Sequence, residues 1–405
     1  MKQEWWKPIL VRAAVAAAIC LSLSAIAFGA PTYKVLRYFN GTDGSGPWGG
    51  VTLDQNGNVY GTTAGGGACG TVFRLTPQKN GHWKETVLYQ FGSGPDPCVP
   101  NSSVVFDSEQ NLYATTVGGG TDEFGTVFEL TRGSTGWAEG TLYSFGTKRG
   151  DGGSPTAGLV MDKAGNLYGT GPDGGAYGNG TVFRLTPGSE SWDEEVLYAF
   201  GARKGDGDAP FAGLISDAKG NFYGTTYSGG ANGSGSIYRL HSTSGDWQEQ
   251  ILHDFPSFSK DGQTPGWGAL LRDASGSLYG TTSGGGCCGG VVYRLALGSG
   301  GHWKETIIYE FQGGESGFEP NAGVVMDKAG NLYGTADGGT YGCGVIYKLA
   351  PEPKGGWKYT VLHTFYADKG CLPEGNLVLD KKGNLYGGTA IGGPSNNGVV
   401  FELTP

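Results

Sequence analysis

The chain has 405 residues, of which 79 are glycine and only 16% are charged, and its formal net charge is −9. Its 10 Trp, 21 Tyr and 18 Phe exclude a disordered glycine-rich polymer, because such chains lack the aromatic surface that offsets ordering entropy. The acidic balance excludes a phosphate-binding surface, so no nucleic acid partner is expected.

Residues 1–30 read as a signal peptide. Lys2, Lys7 and Arg12 make a positive start, residues 13–27 are almost wholly apolar, and small residues follow at Ala25, Ala27, Gly29 and Ala30. The apolar run is short for a membrane span, so cleavage within 27–30 and a secreted or periplasmic destination are expected. No later segment is apolar and long enough to cross a membrane, so the mature chain should carry no transmembrane segment.

Residues 31–405 then repeat one phrase, Asp-x-x-Gly-Asn-(Leu/Val/Phe)-Tyr-Gly-Thr, with its tyrosine at Tyr60, Tyr113, Tyr168, Tyr223, Tyr279, Tyr333 and Tyr386. The steps between them are 53, 55, 55, 56, 54 and 53 residues. So regular a period means one supersecondary unit stacked many times. Each unit holds four strand-like runs, named A to D; in the third they are 158–161, 166–170, 181–185 and 192–200. A short Asp/Gly turn joins A to B, a glycine-rich loop joins B to C, and strand D opens with Trp and ends in Phe. The glycine after each repeat tyrosine (Ala114 in the second unit) is expected to make room for a ring from the adjacent unit.

Four antiparallel strands at this period predict an all-β, seven-bladed β-propeller, residues 31–405 forming a single domain. The seventh unit stops after strand C, while residues 33–39 match strand D. The N-terminal strand should therefore complete the last blade and close the ring, which removes the exposed sheet edges. The run Gly-Asn-Leu-Tyr-Gly-Thr-x-x-x-Gly-Gly followed by Gly-x-Val-Phe-x-Leu, as at 165–175 and 180–185, resembles the GloVer-type tandem repeat of exported bacterial proteins. That resemblance spans residues 33–405. It implies a propeller and carries no established biochemical role.

Six cysteines lie beyond residue 30. Cys69 and Cys343 sit in B–C loops, and Cys98 and Cys371 sit in the D–A loops that follow, in matching register. Loops of both kinds emerge on one face, so disulfides Cys69–Cys98 and Cys343–Cys371 are predicted for an oxidising compartment. Cys287 and Cys288 have no partner in register; a vicinal disulfide and free thiols are both open.

Chemistry-bearing motifs are sparse. The five histidines (His82, His241, His253, His302, His363) fall on or near the outer strands, and there is no nucleophile elbow, phosphate loop or paired-His metal motif. The turn aspartates (Asp54, Asp107, Asp162, Asp217, Asp273, Asp327, Asp380) suit hairpin turns better than a calcium loop.

A second series, Asp43, Asp96, Asp151, Asp206 and Asp261, stands four residues before the prolines that open strand A. It breaks in the last two D–A loops, which offer Glu319 and Glu374 beside proline. These loops are expected to rim the central channel, where five acids could bind a hydroxylated ligand or a calcium ion. Turn capping is the simpler role for them. Trp48 and Trp267, with Phe211 in a similar place, follow those prolines and would stack on a sugar ring at the channel mouth, or else pack between blades.

The leading expectation is a non-catalytic binding propeller, a monomer, docking a polysaccharide or an envelope protein on the D–A/B–C face. Cofactors are expected to be none, calcium being the one candidate. A carboxylate- or metal-dependent hydrolase or lyase on that face and a structural envelope component are the alternatives. Fold alone does not choose among them.

Overall fold

Seven four-stranded antiparallel blades follow one another along the chain. In the first, Val51–Leu53, Val59–Thr63, Thr71–Pro77 and Trp83–Gln90 pair in that order from the axis outward. The computed structural model describes residues 30–405 apart from 93–95, 135, 258, 259 and 288, and Pro31–Pro405 form one unit. Residues 1–29, which hold nearly all of the expected signal peptide, and Cys288 lie outside the described residues. The last blade is Val378–Leu379, Leu385–Thr389 and Val399–Thr404, completed by Thr32–Tyr38, which runs antiparallel to Val399–Thr404. The ring is closed by its N-terminal strand, as the repeat pattern predicted.

The repeat phrase builds the A–B turn. In the third blade the Asp162 Oδ1 accepts from the Ala164 and Asn166 N–H groups, and its Oδ2 accepts from Asn166 Nδ2 at 2.8 Å and the Tyr168 hydroxyl at 3.0 Å. Partial burial works upward on this carboxyl, yet those donors hold it below the ordinary carboxylate range. The same arrangement recurs at Asp54, Asp107, Asp217, Asp327 and Asp380, and at Asp273 with Ser277 in place of the asparagine. The turn aspartates are structural.

One expectation is corrected. The ring that fills the space over each post-tyrosine glycine comes from strand C of the same blade. A Cβ at Gly61 would lie 2.7 Å from Phe73 of its own cross-strand partner. The bare backbone accepts the ring face, and the ring covers it.

Cores lie between blades. Tyr60, Val72, Leu88 and Phe91 of the first blade pack with Val104, Leu112, Phe128 and Leu130 of the second. The closing seam has the same make-up, with Leu36, Phe39, Tyr386 and Val400 of the last blade against Val51, Val59, Phe73 and Leu75 of the first. Each fully buried Phe contributes about 1.5–3 kcal/mol, so no blade is stable without its neighbours.

A latch at the inner end of each D–A loop fixes the angle between blades. Residues Gly46, Val99, Ser154, Ala209, Thr264, Glu319 and Leu372 each precede a proline and hold a positive φ of 48 to 65°. Each donates its N–H to a carbonyl in the B–C loop of the preceding blade, for example Val99 to Cys69 at 3.0 Å and Gly46 to Asn397 at 3.0 Å. The proline then packs against the glycine before strand C, where a Cβ would meet it; at Gly70 the gap to Pro100 Cδ would be 2.6 Å. Both predicted disulfides, Cys69–Cys98 and Cys343–Cys371, join the same two loops.

Candidate binding cavity at the propeller axis

The latch determines what reaches the axis. Because each proline is pinned to the neighbouring blade, the residue after it is delivered to a cavity of about 410 Å³ at the centre of the ring. Those residues are Trp48, Asn101, Thr156, Phe211, Asn321 and Glu374, with Trp267 one place further in the fifth blade, where Gly266 follows the proline. The scaffold repeats, while this ring of side chains does not.

Trp48 and Trp267 are 40% and 46% exposed, so neither serves as inter-blade filling. Phe211 stacks on Trp267 with centroids 4.4 Å apart. This pair belongs to the fourth and fifth blades and Trp48 to the first. The order of blades in a closed ring of seven therefore sets the two aromatic surfaces on opposite walls.

Polar groups fill the arcs between them. Asn376 Oδ1 accepts from the Gly323 N–H at 2.8 Å, and Asn321 Nδ2 donates to Asp337 Oδ2 at 3.3 Å. The Oδ1 of Asn101 accepts no hydrogen bond. Glu374 is the one charged residue lining the cavity. Burial raises its carboxyl, and behind Asn321 burial, then Glu374 and Glu319, push Asp337 up to about 7.

The five D–A aspartates do not line the cavity, in contrast to the expectation that they rim the channel. The loops run inward from the outer strand, and four residues span up to about 13 Å, which leaves these side chains in the outer part of the seams. Asp151 accepts from the Tyr143 hydroxyl at 2.9 Å and from the Gly146 and Lys148 N–H groups; Asp206 accepts from Tyr198 at 2.9 Å and from Gly201 and Ala202. Asp43 is paired with Arg37, which also reaches Glu85 at 2.6 Å.

Each of these aspartates faces a glutamate two residues after the Trp of the next outer strand. Burial first, then Asp206, lifts Glu249 to about 7, and burial with Asp261 lifts Glu305 to about 8; Asp96 acts likewise on Glu139. In the last two seams the aspartate and the glutamate are both missing. Stacked rings replace them, Tyr309 on Tyr359 at 4.0 Å and His363 on Tyr33 at 3.8 Å. The break in the aspartate series thus has a partner in the sequence, Tyr359 and Tyr33 standing where the other units have Glu.

Sequence reasoning missed Asn101, Thr156, Asn321 and Asn376. For the first three the signal was present, since each directly follows a repeat proline at a position that varies between units; Asn376, three residues after Pro373, carried no such mark. Among the described residues no group of three or more His, Cys, Asp or Glu is arranged to hold a metal ion.

The chain is thus a closed seven-bladed propeller with a non-repeating ring of side chains around its axial cavity. The chain belongs to the Gloeobacter/Verrucomicrobia repeat family, which matches residues 23–225, 68–289 and 217–405. No curated protein matches it. Among solved structures it is similar to an ancestral GH74 enzyme (TM-score 0.58, 11% identity, covering 93% of this chain and 51% of that one). It is also similar to a protein from Lactobacillus plantarum (TM-score 0.54, 13% identity, 85% and 90% covered) and to a hypothetical selenium-binding protein from Sulfolobus tokodaii (TM-score 0.52, 11% identity, 81% and 78% covered). At such identities these likenesses show the fold alone.

Proposed function

We propose that the protein is an exported, non-catalytic binding propeller, active as a monomer, whose axial cavity takes a segment of polysaccharide. The observation that carries this reading is the pair of opposed aromatic surfaces, Trp48 and the Phe211–Trp267 stack, with amides and a carboxylate between them. A sugar ring offers a C–H face to aromatic rings and an edge of hydroxyls to such polar groups, and large exposed aromatics supply contact area at little entropic cost. The two disulfides support an oxidising destination. No helix among the described residues is long and apolar enough to cross a membrane.

Thermal unfolding of the residue 31–405 chain against a panel of oligosaccharides tests the reading. A binding glycan adds about 2.7 kcal/mol of stability at a hundredfold excess over its Kd. The shift should vanish in Trp48→Ala and Trp267→Ala chains that unfold normally without ligand. A panel without any shift would remove glycan binding and favour an envelope-protein partner.

A second reading, a carboxylate-dependent hydrolase or lyase, is favoured by the elevated Asp337 beside Glu374, since a carboxyl that keeps its proton near neutrality can act as a general acid. Product release from a bound oligosaccharide, abolished by Asp337→Asn without loss of binding, would establish it.

A further inference from the structure

We infer that the cavity selects ligands bearing a protonated amine, so that among glycans it takes amino sugars in preference to neutral or acidic ones. This rests on the glycan reading and deepens it.

Lysine and arginine are both absent from the residues lining the cavity, and the sole charge there is the carboxylate of Glu374. Glu374 and Glu319 both act on Asp337 behind this wall, which gathers acids and no base. Glu374 is placed beside an aromatic wall: the Trp48 carbonyl lies against Gly375, where a Cβ would come within 2.7 Å of it. An ammonium group bound at Glu374 therefore lies next to the loop segment that carries Trp48, and an indole face attracts cations through its quadrupole.

Asn101 and Asn376 add amide groups to the same cavity lining. Acceptors and π-faces in one cavity call for a ligand rich in N–H and O–H donors and positive in charge. A uronate or phosphate would meet Glu374 with no compensating cation. A neutral sugar would gain the stacking but leave the carboxylate with hydroxyl partners alone.

Calorimetric titration near pH 6, where a hexosamine amine is largely protonated, decides it with four probes. These are a glucosamine oligomer, its N-acetylated counterpart, an oligouronate of equal length, and choline. The expected order is glucosamine first by roughly tenfold or more over the N-acetylated form, as a carboxylate pair with a cation–π contact would give, and the uronate undetectable. Added salt should weaken the glucosamine oligomer selectively on the native chain, and Glu374→Gln should bring the two glucosamine forms level. Equal affinity for the amine and N-acetyl forms, or an unaltered ratio in Glu374→Gln, overturns the charge inference and leaves the glycan reading standing. Binding of choline with no oligosaccharide bound overturns the glycan reading and retains the cation preference. No binding by any probe overturns both.

Discussion

At the scale of single residues, the same acid serves different ends according to where the loop puts it. Asp162 is an acceptor for two backbone N–H groups and two side chains within its own turn. Removing such a capping acceptor typically costs about 1 kcal/mol, and up to about 2 where the donors stay buried. Asp162→Ala should therefore lower stability in denaturant unfolding by that amount and leave ligand binding unaltered. The left-handed residues before the prolines make the opposite prediction. Ala209 holds a φ of 55°, a region that disfavours any side chain. Ala209→Gly should stabilise the chain by a few tenths to about 1 kcal/mol, although glycine is destabilising in most extended positions. A loss of stability would show that the latch does not carry strain there.

At the scale of elements, the D–A loop is the working part, since it runs from the outer strand of one blade to the axis. Its inner end is held to the preceding B–C loop by a hydrogen bond and a proline contact in every seam, and by a disulfide in two of them. Each disulfide closes a loop of about 30 residues (separations 29 and 28) and should contribute about 2–4 kcal/mol. Cys343→Ser with Cys371→Ser should cost that much in chemical unfolding. It should also loosen Glu374, three residues beyond Cys371, and weaken binding in the axial cavity. The Cys69 and Cys98 pair, next to Asn101, should have a smaller effect on any ligand preference set by Glu374.

At the scale of the whole ring, the seams titrate together. A carboxyl raised above its ordinary pKa holds its proton more firmly folded than unfolded. The stability it contributes is complete at acid pH and is lost as pH rises through the folded value. Burial lifts Glu85 to about 7 against the pull of Arg37, Glu249 stands at about 7, and Glu305 at about 8. His363, depressed to about 4 by burial, works in reverse, its share being lost as pH falls from the ordinary histidine value of about 6.5 toward 4. From about pH 6.5 to 8 the raised carboxyls act unopposed by it, so Tm should fall across that window, and Glu305→Gln should flatten its upper half. A Tm that stays level from pH 6.5 to 8.5 would count against protonated seam glutamates. Ring closure predicts something larger. Deleting Thr32–Tyr38 exposes the edge of Val399–Thr404 and uncovers the Phe39 seam. Such a chain should lose cooperative unfolding and self-associate in light scattering, as an unpaired edge strand does.

The chain's covalent order determined the blades, their number, the capped turns, both disulfides and the closing strand. Each of these follows from local pattern and a fixed period, which act within one unit or between consecutive ones. The tertiary structure decided what meets at the axis and what stays in the seams. Trp48, Asn101, Phe211, Trp267 and Glu374 are scattered over more than 320 residues and share a cavity only because the ring closes. The five aspartates drew attention by their regular spacing, but spacing along the chain does not give radial position. A loop that travels from rim to axis carries its first residues outside and its last residues to the centre, so the acids fell between blades and the residues after the prolines formed the cavity wall.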